Sequence, residues 1–141
     1  MVMRVLLDTS ALYKRYHIET GREQLLAINN LASELVIARH CKAEIASALN
    51  RQRHDGMASQ QDYVRIMAEV SMDFEAFTVF ELDARVEDFA IAAMEVSRVR
   101  AMDALHIGTA KAAYVDLFVT ADKRQAAAAR AVGLKTELIE A

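Results

Sequence analysis

The 141-residue sequence contains no proline and no tryptophan, one cysteine, and only four glycines, at positions 21, 56, 108 and 133. Scattered glycines without proline leave no stretch that reads as a flexible linker, a low-complexity segment or a repeat, so residues 1–141 are expected to form one domain. The lone Cys41 rules out an internal disulfide framework and a cysteine-rich zinc site, and it suits a reduced compartment. Aromatic residues make up 6% of the chain, which argues against base-stacking platforms of the RRM or OB type. No apolar run approaches the roughly 20 residues of a membrane span, and the short run near the N-terminus is no secretory leader, so a cytoplasmic protein is expected. An excess of positive charge is also missing. Seventeen basic residues against twenty acidic ones give a net charge of −3, unlike a protein that coats DNA nonspecifically. A nuclease is not excluded, because it needs local acids for metal ions and only local bases for phosphates.

The hydrophobic fraction, 54%, supports a substantial aliphatic core. Short apolar runs alternate with longer helical patterns. Strands are expected over 2–7, 35–38, 77–82, 117–120 and 134–139. Helices are expected over 10–16, 19–31, 40–54, 59–74, 84–98, 102–114 and 123–132. Ser10 and Ser59 read as N-caps. Leu25, Leu26, Ile28 and Leu31 form one inner face, and Met67, Met94 and Met102 read as core filler. Strands separated by crossover helices imply α/β architecture with a parallel sheet covered on both faces. Ligands of such sheets bind beyond the carboxyl ends of the strands.

Asp8 and Asp122 fall at two of those ends. Asp8 closes the run Val5-Leu6-Leu7, and Asp122 follows Phe118-Val119-Thr120-Ala121. Thr120 and Asp122, two apart, are expected to point the same way if strand geometry persists. Two further acids stand at helix starts among small and apolar neighbours: Glu44 in Cys41-Lys42-Ala43-Glu44-Ile45 and Asp103 in Met102-Asp103-Ala104-Leu105-His106. Each acid alone has a structural explanation, as a cap or a favourable charge at a helix N-terminus. Together on one sheet edge, four carboxylates would repel, and such groups usually coexist through a proton or a metal. Hard oxygen donors in that number suit Mg²⁺ or Mn²⁺. Two such ions about 3.5–4 Å apart can drive phosphodiester cleavage.

These segments resemble the PIN-domain ribonucleases, and among them the VapC toxins of toxin–antitoxin pairs. The matching pieces are Leu7-Asp8-Thr9-Ser10-Ala11-Leu12, Glu44-Ile45-Ala46-Ser47-Ala48-Leu49, Met102-Asp103-Ala104-Leu105-His106 and Phe118-Val119-Thr120-Ala121-Asp122, in the family's order across essentially the whole chain. The resemblance implies a three-layer α/β/α domain with about five parallel strands. It implies metal-dependent cleavage of single-stranded RNA, leaving a 3′-hydroxyl and a 5′-phosphate. Asp8, Glu44, Asp103 and Asp122 would be the Mg²⁺ or Mn²⁺ ligands, with Thr120 and Ser10 or Thr9 orienting them or a water. It also implies a VapB-like antitoxin and a homodimer as partners.

Basic residues near the edge, Lys14, Arg15, Lys42, Arg98, Arg100, Lys123 and Arg124, are candidates for holding RNA phosphates, whereas Arg51 and Arg53 are set aside. His106 reads as a hydrogen-bonding neighbour rather than a ligand; His17, His40 and His54 read as surface or capping residues, and Cys41 as a packed residue. Three alternatives stay open. A haloacid-dehalogenase-type phosphatase also places an Asp after its first strand, but needs a second acid where Ser10 stands. A two-component receiver needs an acid after its third strand, for which Glu81 or Asp83 would have to serve. A PIN-like domain active in RNA processing, or one that only binds RNA or a partner, is the third.

Overall fold

The computed structural model describes residues 3–141. Its chain order is β1 (Arg4–Leu7), α1 (Thr9–Leu12), a 3-10 turn (Tyr13–Arg15), α2 (Arg22–Leu31), β2 (Glu34–Ala38), α3 (Cys41–His54), α4 (Gln60–Ala76), β3 (Thr78–Phe80), α5 (Ala84–Val96), α6 (Ala101–Ala112), β4 (Leu117–Thr120), α7 (Lys123–Ala131) and β5 (Thr136–Leu138). All five strands are parallel, in the order β3-β2-β1-β4-β5. The expectation that the first strand begins at Val2 lies outside the described residues.

The strands with continuous apolar runs are the central ones, as expected where both faces are covered. Val5, Leu6 and Leu7 have no exposure at all. Alternation then splits each strand between two cores. Val5, Leu7, Ile37, Leu117 and Val119 face α1, α2, α3 and α4 through Leu12, Leu25, Ile28, Ile45, Leu49, Ile66 and Val70. Leu6, Val36 and Phe118 face α5, α6 and α7 through Ala93, Ile107, Ala110, Ala128 and Ala129. The result is three layers, α/β/α. The second face is almost wholly alanine, so its helices sit close. Gly108 of α6 is part of that close packing, since a Cβ there would lie 2.3 Å from the Val86 carbonyl of α5.

Several expectations needed adjustment. The helix expected over 10–16 is a single α-turn followed by a 3-10 turn, and its cap is Asp8 rather than Ser10. Leu31 is 72% exposed, because α2 ends there and Ala32 already has extended geometry. Met94 and Met102 are exposed too, since alanines fill the interior positions beside them, whereas Met67 does pack on the core. Ser59 caps α4 with a reciprocal capping box through Asp62.

Candidate metal and nucleic-acid site

Asp8 leaves β1 with its amide still donating to the Val119 carbonyl at 3.1 Å. Its side chain turns onto the start of α1. Oδ1 accepts from the Ala11 amide at 3.0 Å and the Ser10 hydroxyl at 2.7 Å, and Oδ2 accepts from the Thr120 hydroxyl. Asp8 is thus the helix cap, and the same geometry leaves it a buried carboxylate at a strand end, 3% exposed. Burial pushes its carboxyl above the ordinary range; the charge of His106 and the hydroxyls of Thr120 and Ser10 offset this only in part. Ser10 Oγ also accepts from the Ala121 amide at 2.9 Å, and Thr120 Oγ1 accepts from the Asp122 amide at 3.0 Å. Ser10 and Thr120 therefore lace the end of β1 to the end of β4.

Glu44 is the fourth residue of α3. Its Oε1 accepts from Thr9 Oγ1 at 2.6 Å and from His106 Nε2 at 2.7 Å, and lies 3.6 Å from His40 Nε2. Burial works to raise this carboxyl, but the hydrogen bond and charge of His106, with Thr9 and His40, outweigh it and hold Glu44 below the usual carboxylate range. Asp103 is the third residue of α6 and does not cap it; Arg100 holds the cap position, with Nε 3.6 Å from Asp103 Oδ2. Asp122 caps α7, Oδ1 accepting from the amides of Arg124 at 2.8 Å and Gln125 at 3.2 Å.

Glu44, Asp103 and Asp122, carried by three different helix starts, line one cavity of about 630 Å³, together with Thr9, Ser10, Arg51 and Arg100. Asp8 does not line this cavity; it is buried and touches the lining through the Ser10 hydroxyl. A second cavity shares Glu44, Arg51, Arg100 and Asp103. A third, of about 770 Å³, shares Ala121 and Asp122 and adds Lys123 and Arg124. The three share walls along the carboxyl edge of the sheet.

The basic candidates divide. Arg100, Lys123 and Arg124 line these cavities. Lys14 borders one, but its buried ammonium is spent on the Thr20 carbonyl at 2.6 Å and Glu19 at 3.2 Å. Arg15 points elsewhere: it pairs with Asp73 of α4 at 2.9 Å and lies over the Phe77 ring. Lys42 lies over Phe74, on a different face of α3 from Glu44. Arg51, set aside on the sequence, borders the acids, because 44, 48 and 51 share a helical stripe. His40 stands at the N-cap position of α3, as a capping reading expects, but its side chain makes no capping bond and is mostly buried. Its Nε2 is 2.8 Å from the Met102 carbonyl, and its ring lies tilted against His106 with centroids 4.3 Å apart. Gln125, also unremarked on the sequence, is buried and ties α7 to α6 through the Asp103 carbonyl at 3.0 Å.

The donor chemistry of the cavity fits a hard divalent cation: three carboxylates stand on its wall, and a fourth, Asp8, is buried behind Ser10. Among the described residues the one group of three potential ligands whose atoms all lie within 4.8 Å of one another is His40, Glu44 and His106; the carboxylates share a cavity but form no group that close. Both imidazole Nε2 atoms already serve as partners, one to the Met102 carbonyl and one to Glu44, so the histidines act here as donors to fixed acceptors.

The model of the PIN domain family matches residues 5–131. No curated protein matches the chain in sequence. Among solved structures, FitAcB from Neisseria gonorrhoeae superposes with a TM-score of 0.75 at 14% identity, covering 94% of this chain and 95% of that one. VapBC2 from Rickettsia felis, bound to a DNA fragment from its promoter, gives 0.70 at 13% identity, covering 96% and 98%. The sarcin-ricin-loop-cleaving toxin VapC20 of Mycobacterium tuberculosis gives 0.67 at 15% identity, covering 92% and 95%. At such identities the likeness concerns the fold.

Proposed function

The chain belongs to the PIN domain family, and from that membership we propose that residues 1–141 form one nuclease domain, a metal-dependent endoribonuclease that cleaves phosphodiester bonds of single-stranded RNA and serves as the toxin of a VapBC-type pair. The observation that carries this reading is the convergence of Glu44, Asp103 and Asp122 on one cavity whose Ser10 is hydrogen-bonded to buried Asp8. These four residues would hold Mg²⁺ or Mn²⁺. A bound ion of this class supplies an activated water and charge to stabilise the leaving oxygen.

The residues around it have separable tasks. Ser10 and Thr120 fix both oxygens of Asp8. The helix starts at α6 and α7 carry Asp103 and Asp122 on rigid backbone. Arg51 and Arg100 on one side, and Lys123 and Arg124 on the other, would take phosphates flanking the cut. The groove's basic rim in a chain of net charge −3 favours a single strand drawn across it rather than a coat over a duplex.

A VapB-like antitoxin as partner follows from the likeness to VapBC2 and to a toxin–antitoxin complex from Klebsiella pneumoniae, which matches with a TM-score of 0.66 at 14% identity. A homodimer would cover apolar residues such as Ile91, Met94 and Val96 on α5 and Val64 and Met72 on α4, all exposed in the single chain. No helix among the described residues is long and apolar enough to cross a membrane; a cytoplasmic site of action is part of the proposal.

The test is cleavage of a single-stranded RNA with Mn²⁺ present. Asp8→Asn and Asp103→Asn are each expected to lower the rate by on the order of 10²-fold or more, the scale for losing one element of charge stabilisation. Both variants should stay folded. Undiminished activity in both, or wild-type cleavage that survives excess chelator, overturns the reading.

A further inference from the structure

We infer that His106, with Thr9, is a positioning residue that occupies one oxygen of Glu44 so that only the other is offered to a cation. The inference rests on the proposed metal site and deepens it. Glu44 Oε1 accepts two hydrogen bonds, from Thr9 Oγ1 at 2.6 Å and His106 Nε2 at 2.7 Å. That fills its two lone-pair directions. Among the described residues no hydrogen bond reaches Oε2, and Glu44 borders the acid-lined cavity. The carboxylate is therefore set up as a one-oxygen ligand whose rotation is already arrested.

His106 is built for this task. Its side chain is 1% exposed, so it is no surface group that happened on a carboxylate. Its Nδ1 is buried without a partner, which leaves Nε2 as the nitrogen with an assigned role. The ring cannot swing: the His40 ring lies against it, and His40 is itself held by the Met102 carbonyl at the first turn of α6. Thr9 approaches Nε2 at 3.2 Å and completes a three-way contact among α1, α3 and α6. Outer-shell partners of this kind spare the ligand the entropy of ordering when the cation arrives. Their loss typically costs 10–100-fold in metal affinity.

The experiment is Mn²⁺ titration by calorimetry on the full chain at one neutral pH, with the thermal midpoint of each variant recorded without metal. The variants are His106→Leu, His106→Gln, Thr9→Val and Thr9→Ser. His106→Leu and Thr9→Val should each raise the Mn²⁺ dissociation constant by about 10–100-fold. His106→Gln and Thr9→Ser, which restore a donor, should recover most of the affinity without a matching rise in metal-free midpoint; affinity that simply follows the midpoint across the variants overturns the positioning role. Should His106→Leu fail to fold, the Thr9 pair decides alone. Wild-type affinity in the apolar variants overturns the positioning role and leaves the nuclease reading standing. Absence of any Mn²⁺ binding by the wild-type protein takes down both.

Discussion

At the scale of single residues, the site is a set of side chains whose alternatives have been used up. Asp8 has three donors on its carboxylate, Glu44 two on one oxygen, and Asp122 two backbone amides. Capping and ligand roles are compatible in Asp122, whose cap uses Oδ1 alone, whereas Asp8 caps through Oδ1 and spends one lone pair of Oδ2 on the Thr120 hydroxyl. Cys41 shows the same economy on the passive side. It is fully buried, and burial pushes its thiol up to about 12, with the nearby Asp8 and Glu44 charges adding to the effect against Thr9's hydroxyl. The folded protein is expected to leave Cys41 unmodified by a thiol reagent at neutral pH and to react with it only after unfolding, as read by mass spectrometry. Rapid labelling of the native chain would contradict the packing described. The four acids are legible as candidates in the sequence because they sit where strands end and helices begin, and the structure brings three of them to one cavity. Arg51 is not legible in that way, although its spacing from Glu44 carried a signal, since an arginine near a helix C-terminus usually faces solvent. Arg15 and Lys42 misled for the opposite reason: proximity in the chain to Asp8 or Glu44 says nothing about side, and their contacts with Asp73, Phe77 and Phe74 come from α4 and the loop after it.

Elements differ in how much of them a sequence can specify. The helix caps at Ser59, Asp83 and Asp122 and the continuous apolar runs of β1, β2 and β4 are local signals, and they place those boundaries within a few residues. The turn after Asp8 has no such signal, because a 3-10 turn is chosen by where Tyr13 and Tyr16 must pack rather than by propensity. The closeness of α5 and α6 is likewise a tertiary matter. Gly108 would place a Cβ 2.3 Å from the Val86 carbonyl and 3.0 Å from the Ala90 amide, both backbone atoms. Alanine in a helix interior is ordinarily favoured over glycine by about 0.8–1.0 kcal/mol. Here the clash wins, since backbone cannot yield as a flexible side chain does. Gly108→Ala should destabilise by about 1–3 kcal/mol in a denaturant melt. A midpoint equal to or above wild type would show that α5 and α6 have room to separate.

The whole molecule inherits a conflict from its site. Asp8 is buried and its carboxyl is held above the usual range. A carboxyl with a raised folded value stabilises the fold below the unfolded value, and that contribution is lost as pH rises through the folded value. At neutral pH without a cation, Asp8 is therefore a burden, and Asp8→Asn should match or exceed the wild-type melting temperature. A large drop would mean that the carboxylate is needed as a cap alone. Under the proposed function, added Mn²⁺ is expected to reverse the balance. At a hundredfold excess over its dissociation constant it should stabilise by about 2.7 kcal/mol, a shift of several degrees for a chain of this size, following the roughly 2–4 °C per kcal/mol of larger domains. Acidification should shrink that gain, with Asp8 taking up its proton before Glu44, which is held low. A gain that is constant across this range would place the cation away from Asp8. Strand order was readable only in part: alternating strands and helices implied a parallel sheet, but the position of β1 between β2 and β4 depends on which apolar faces find each other.

That position of β1 bears on when the protein can act during its own synthesis. The first strand emerges early from the ribosome, yet one of its two sheet neighbours, β4, and the last of the four candidate acids, Asp122, come more than a hundred residues later. Nothing translated before them can complete the edge that carries Asp8. Under the proposed function, a growing chain would stay inactive until Asp122 is made, and an inhibitor would have that long to be in place.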